Sequence, residues 1–245
     1  MKLLALDTSG EACSAALYLD GALQQCLELA ARRHGALILP MMQSLLDGAG
    51  IGLGALDAIA FGRGPGSFTG VRIAVAVAQG TAFGAGRPTV PVSTLAALAQ
   101  GEFRRSGRRR LLAALDARMG EVYWGAYEVG ADGLAAACGA ESVSAPGAVP
   151  VPTGGGWCGV GPGWERYCAL LTRRLGAGLA QVSSDGVCEA RDIARLAAAQ
   201  ARAGQLVPAE LARPVYLRDR VTQVQISAAA APRAPRRDAG GSSPG

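Results

Sequence analysis

Two aspartates and one glycine-rich turn are the parts of this 245-residue chain whose types and spacing suit chemistry. Asp7 closes an apolar run and is followed by Thr8 and Ser9. Asp116 closes a second such run, and residues 62–72 read Gly-Arg-Gly-Pro-Gly-Ser-Phe-Thr-Gly-Val-Arg. A strand that feeds a glycine-rich turn and then a helix aims backbone N–H groups at an anion. Glycine supplies the positive φ and close backbone approach that such a turn needs. Candidate phosphate contacts for a nucleotide are therefore Asp7, Thr8, Ser9, Gly64, Gly66, Ser67 and Asp116. The turn is not a Walker loop, because no lysine follows its glycines. Ser67 and Thr69 break G-x-G-x-x-G, and Pro65 and Thr69 break G-x-S-x-G. A plainer use of the same residues is structural: Ser67 or Thr69 caps a helix, and the two carboxylates accept N–H groups of their own turns.

Histidine counting removes other chemistries. His34 is the only one, so a His-x-x-x-His metal pair or a zincin motif has no second ligand. No nucleophile motif accompanies His34, which precedes an apolar helix and reads as a structural contact at its start. None of the six cysteines forms C-x-x-C, which excludes zinc-ribbon and thioredoxin readings. No catalytic residue and no metal site are assigned.

The elements that must position these residues follow from periodicity. Residues 2–7, 12–19 and 22–29 read as three antiparallel strands, with Asp20-Gly21 as the hairpin turn between the last two. Helical spacing marks residues 37–46, where Pro40 is tolerable only in the first turn. Then come strand 56–61, the glycine-rich turn, helix 69–84, strand 89–92 and helix 94–103. The order βββαβαβα describes a mixed sheet with helices on its faces. A second cycle opens with strand 111–115, the turn at Asp116, and strand 121–128. Residues 144–163 read as loop; 164–175 and 189–203 read as helices; 207–226 reads as partly extended. The expected division is 1–103 as a first half, 104–227 as a second half whose last segment returns to the first, and 228–245 as a disordered tail.

Half of the residues are hydrophobic but only 5% are aromatic, so the core is built of small side chains. Net charge is +5, of which the Arg233, Arg236, Arg237 and Asp238 tail holds +2; this is too mild to argue nucleic-acid binding. The chain shows no secretory pattern and no long apolar span, which places the expectation in a reducing cytoplasm with no membrane contact.

Several stretches together resemble the TsaB family, the dimerisation subunit of the bacterial complex that makes threonylcarbamoyladenosine in tRNA. They are residues 64–72, Leu4-Ala5-Leu6-Asp7-Thr8-Ser9, 34–41, Val92 to Leu98, Asp116 to Tyr123, and Pro214-Val215-Tyr216-Leu217-Arg218. The resemblance implies an α/β fold of two ribonuclease-H-like (actin-like ATPase) halves, in which turns such as those at Asp7 and Asp116 hold phosphates and a magnesium-bound water. It also implies a non-catalytic scaffold whose first half, 1–103, is partner-binding. The expected partners are TsaD in a heterodimer, TsaE in a larger complex and tRNA through that complex, with a homodimer when the chain is alone. TsaD carries a histidine pair on the same fold; the equivalent positions here hold Thr94 and Leu98. No cofactor is assigned beyond the nucleotide that the turns would hold. The alternative from another class is an independent actin-like ATPase or small-molecule kinase.

Two surfaces are candidates for partners. Arg104, Arg105, Arg108, Arg109 and Arg110 cluster around Gly107, either as a solvated loop or as a phosphate-contacting patch for tRNA. In helix 69–84, Gly70, Ala74, Ala78 and Ala82 recur every four residues and form one ridge of minimal side chains. Either the chain's own core buries this ridge, or it accepts a helix of another subunit at close distance.

Overall fold

The computed structural model describes residues 1–30 and 32–218; the tail expected at 228–245 lies outside them. β1 (Lys2–Asp7), β2 (Ala12–Leu19) and β3 (Ala22–Leu29) form an antiparallel meander. Its hairpin is turned by Asp20 and Gly21 at φ 49° and 104°. α1 (His34–Ala49) leads to β4 (Ala58–Gly62), α2 (Phe68–Ala85), β5 (Thr89–Val92) and α3 (Thr94–Ser106). β4 and β5 join in parallel, giving the order β3-β2-β1-β4-β5.

The second cycle repeats this plan. β6 (Arg110–Arg118) and β7 (Glu121–Val129) pair antiparallel, and β8 (Ala135–Ala137) and β9 (Ser142–Ser144) both pair with β7. β10 (Trp157–Val160), α4 (Pro162–Leu175), β11 (Leu179–Ser183) and α5 (Ala190–Arg202) follow. The order β11-β10-β6-β7-β8 mirrors the first sheet. In each, the strand that carries an aspartate near its end, Asp7 in β1 and Asp116 in β6, has a hairpin on one side and two parallel strands on the other.

The helices tie the halves together. α1 and α2 cover one face of the first sheet. Its other face is covered by α5, from the far end of the sequence, while α3 lies on the second sheet; α3 and α5 also pack on each other. One apolar cluster therefore runs from Leu3 and Ala5 through Leu95 and Ile193 to Leu111 and Tyr127. Residues 207–218 run back along the first half. Val207 bridges Thr89 in both directions, and Val215 donates its N–H to the Arg63 carbonyl.

Several sequence expectations need correction. Residues 144–163 are not all loop, because Trp157–Val160 is the fully buried strand β10. β11 was not expected at all. Pro40 sits in the interior of α1, not in its first turn; it is on the exposed side. The ridge of Gly70, Ala74, Ala78 and Ala82 is buried in the chain's own core, the three alanines within the cluster of β1, β2, β4 and α1. In this chain it is therefore not a free partner surface. The face offset by two residues points outward: Ala76, Gly80, Phe83 and Gly84 are exposed.

Candidate functional site

A cleft of about 710 Å³ opens between the halves, lined by Ser9, Gly66 and Ser67 on one side and by Asp116, Arg118 and Arg166 on the other. The loop ahead of α5 closes its back with Asp185 and Cys188. Of the seven phosphate candidates, Ser9, Gly66, Ser67 and Asp116 reach this cleft. Asp7 and Thr8 are fully buried behind it. Gly64, at φ 95°, is turned toward Val71 and the Val215 carbonyl.

The glycine-rich turn packs directly on the first turn. The Ser67 amide donates to the Ser9 carbonyl at 2.7 Å, and the Thr8 hydroxyl donates to the Gly70 carbonyl at 2.6 Å. A Cβ on Gly66 would meet the Ser9 carbonyl, and one on Gly70 the Thr8 carbonyl, inside van der Waals contact. Glycine is required here by close approach. Ser67 also caps α2, its hydroxyl accepting the Gly70 amide at 3.4 Å.

Asp7 accepts the Ser9 amide and hydroxyl at 3.1 and 3.0 Å through Oδ2, while Oδ1 has no hydrogen-bond partner among the described residues and faces Gly62. Burial pushes its carboxyl up to about 7, against the lowering pull of Ser9 and of the Cys188 thiol beside it. Such a carboxyl is half protonated near neutrality and sealed from the cleft, so it does not present a ready carboxylate to a magnesium ion. Asp116 accepts the Arg118 amide at 2.8 Å and the Tyr167 hydroxyl at 3.3 Å, and pairs with the guanidinium groups of Arg118 and Arg166. Asp7 thus serves its own turn, and Asp116 both its own turn and α4. Among the described residues no group of His, Cys, Asp and Glu is arranged to hold a metal ion. Burial also pushes the Cys188 thiol well up, and the Cys13 thiol to about 11, which keeps both from acting as thiolates.

The arginine run is consumed within the fold. Arg104 donates through Nε and Nη2 to both oxygens of buried Asp192, each at 3.0 Å, and reaches Glu189 at 2.6 Å. Arg105 and Arg108 hold buried Glu102 at 3.1 and 3.4 Å. Arg109 donates to the carbonyls of Val129 and Gly130, and Arg110 pairs with Glu128 at 3.0 Å. Arg63 of the glycine-rich turn reaches Glu141 at 3.3 Å, and the same carboxylate accepts the Tyr127 hydroxyl at 2.7 Å. The sequence reading did not single out Arg166, Asp185 or Cys188 as cleft residues. Only the folding of α4 and of the loop before α5 onto the cleft brings them there.

Thr94 and Leu98 lie one turn apart on α3. Thr94 is buried and Leu98 lines the cleft, and neither side chain, a hydroxyl and an isobutyl group, is a metal ligand of the imidazole kind.

This two-sheet architecture places the chain in a recognised class. A family model described as "TsaD: tRNA N6-adenosine threonylcarbamoyltransferase" matches residues 28–155. The chain is 43% identical over 227 residues to the tRNA threonylcarbamoyladenosine biosynthesis protein TsaB of Escherichia coli, covering 90% of this chain and 96% of that one. It is 53% identical over 124 residues to the TsaB of Haemophilus influenzae, about half of each chain. The crystal structure of YeaZ from Pseudomonas aeruginosa is 46% identical and superposes with a TM-score of 0.83, covering 88% of this chain and 99% of that one. The chain belongs to the TsaB family of tRNA threonylcarbamoyladenosine biosynthesis proteins.

Proposed function

We propose that this chain is a non-catalytic subunit that pairs with TsaD. With TsaE, the pair supports transfer of threonylcarbamoyl to the adenosine beside the tRNA anticodon. The observation that carries the reading is the outer face of α2. Ala76, Gly80 and Gly84 recur there every four residues, and a Cβ added at Gly80 or Gly84 would meet nothing within 4 Å. A glycine inside a helix costs roughly 0.5–1 kcal/mol relative to alanine, and no contact among the described residues calls for it. Phe83, 73% exposed, stands beside them. Such a groove of small residues beside an aromatic knob fits a helix packed at close distance. TsaD supplies that helix, and a second copy of the chain supplies it when the subunit is alone. The sealed Asp7, the internally paired Asp116 and the Thr94/Leu98 positions support a scaffold over an independent ATPase or kinase. All six cysteines are free and no helix among the described residues is long and apolar enough to cross a membrane, which agrees with a cytoplasmic site of action.

The test is a titration of the full chain against TsaD, beside a thermal melt on the same preparation. Gly80→Arg should leave the chain folded, with a melt at or slightly above the parent's through helix propensity, and weaken pairing at least about tenfold, since each 1.4 kcal/mol is about tenfold. Unchanged pairing would move the interface elsewhere, and ATP turnover by the isolated chain would favour the kinase or ATPase reading.

A further inference from the structure

A second cavity, of about 340 Å³, adjoins the cleft and shares Gly66, Asp116 and Arg118 with it. Phe68 and Arg72 line it from the start of α2, Arg118 and Tyr123 from the β6–β7 hairpin, and Tyr216 and Arg218 from the returning segment. The six come from three stretches far apart in the chain, each of which the sequence analysis singled out on its own; only the fold brings them to one cavity. Three arginines against one acidic group, Asp116, give the lining a positive balance. Arg218 is paired with Glu121 and Arg118 with Asp116. Arg72 has no carboxylate partner among the described residues. Its guanidinium lies 3.2 Å from the centre of the Phe68 ring and 5.3 Å from that of Tyr216.

This stack faces water: Phe68 is 66% and Tyr216 52% exposed. Beside it the chain holds Arg118 and Met119 at φ 63° and 54°, a left-handed conformation that costs non-glycine residues free energy. That turn carries both side chains outward, with Met119 79% exposed. Exposed aromatic rings interleaved with arginines, next to a concave wall, are the means by which proteins hold unpaired nucleotides: bases stack on the rings and phosphates meet the guanidinium groups. An A-form duplex keeps its bases stacked inside and offers no face to such a platform.

We infer that the Phe68–Arg72–Tyr216 cavity seats an unpaired nucleotide of a single-stranded stretch of RNA, its base against the rings and its phosphate between Arg72 and Arg118. This deepens the reading above and rests on it for the nature of the strand. It also moves the RNA contact away from residues 104–110, whose arginines are engaged internally.

The test uses the full chain and a short fluorescein-labelled single-stranded RNA, read by anisotropy. Phe68→Ala, Tyr216→Ala and Arg72→Ala should each weaken binding at least about tenfold, the scale of one lost base stack. Arg72→Lys keeps the charge but not the planar stack, and should also weaken it. Arg173→Ala removes an exposed charge near the far end of α4 and should change binding less than about twofold, since a lone exposed charge adds only a modest electrostatic contribution. Phe68 and Arg72 are exposed, so thermal melts of their variants should match the parent. The inference is overturned if the Phe68 and Arg72 variants hold the strand as tightly as the parent. It is equally overturned if Arg173→Ala loses as much, if the annealed duplex competes as well as the single strand, or if free AMP binds as tightly as the strand. Pairing with TsaD is measured separately. A chain that pairs with TsaD but ignores the strand sinks only this inference, whereas one that binds the strand but not TsaD sinks the scaffold reading.

Discussion

The Thr8 hydroxyl donates to the Gly70 carbonyl at 2.6 Å, and the Thr8 carbonyl in turn presses on the Gly70 Cα so closely that no side chain fits there. The first turn of the chain is thereby clamped onto the first turn of α2. That contact sets two glycines of one helix against each other: Gly70 is fixed by its neighbour, while Gly80 meets only solvent.

Opposite stability effects follow within α2. Gly70→Ala should destabilise the chain by about 1–3 kcal/mol or more, because backbone on both sides must yield. Gly80→Ala should stabilise it by roughly 0.5–1 kcal/mol through helix propensity. Urea titrations of the two variants check this, and a loss at Gly80 would show that the helix is not as open as described.

The inward ridge makes its own prediction. Ala78 is fully buried, so Ala78→Arg puts a charge without a partner into the core and should unfold the chain, the cost running to several kcal/mol. Circular dichroism decides: a native spectrum and melt would place Ala78 on the surface.

Asp7 makes stability fall with pH. Its folded value, about 7, lies above the usual 3.8, so between those values the folded chain holds a proton that the unfolded chain has released. Stability then drops as pH rises through this window and levels off above it. Asp7→Asn cannot titrate. The parent should lose on the order of 2–3 kcal/mol more than this variant between about pH 5 and pH 8. Parallel pH profiles of the two would sink the assignment.

Arg104 is a structural ion-pair partner, and its removal tests that. Arg104→Ala leaves the buried Asp192 carboxylate without its fork and should cost about 2–4 kcal/mol, somewhat less than a fully buried pair because the guanidinium is one-third exposed. Arg104→Lys should recover only part of this, since one ammonium cannot span both oxygens. A chemical denaturation series on both variants reads the effect; a stable Arg104→Ala would return the arginine run to the surface.

The parts legible in the sequence were those with strong local signals. The apolar runs of β1 and β2, the Asp20-Gly21 turn and the recurrence of an aspartate late in β1 and β6 pointed to two α/β halves, and the resemblance supplied their class. β10 escaped because Trp157–Val160 is four residues long and lies among Gly and Pro, and β11 because it is a short, largely exposed edge strand. The ridge failed for a geometric reason. α2 carries small residues on opposite faces, at 70, 74, 78, 82 and at 76, 80, 84, and a four-residue repeat cannot tell which face meets the sheet. The difference lies in the flanking Val71 and Val75, which are buried with the inner ridge. The arginine run misled because its partners are set by the fold: the carboxylates of Arg104, Glu189 and Asp192, lie more than eighty residues away along the chain, and Glu102, held by Arg105 and Arg108, is buried.

The crossing of α5 onto the first sheet has a consequence for synthesis. The ribosome delivers β1 to β5 early, but the helix that covers one face of their sheet comes only at residues 190–202. Until then that face, with Leu3, Ala5, Ala58 and Ala60, is bare apolar surface on a nascent chain. The first half therefore cannot mature as an independent unit during translation, and its completion waits on contacts between distant ends of the sequence, which are slow to form and open to aggregation meanwhile.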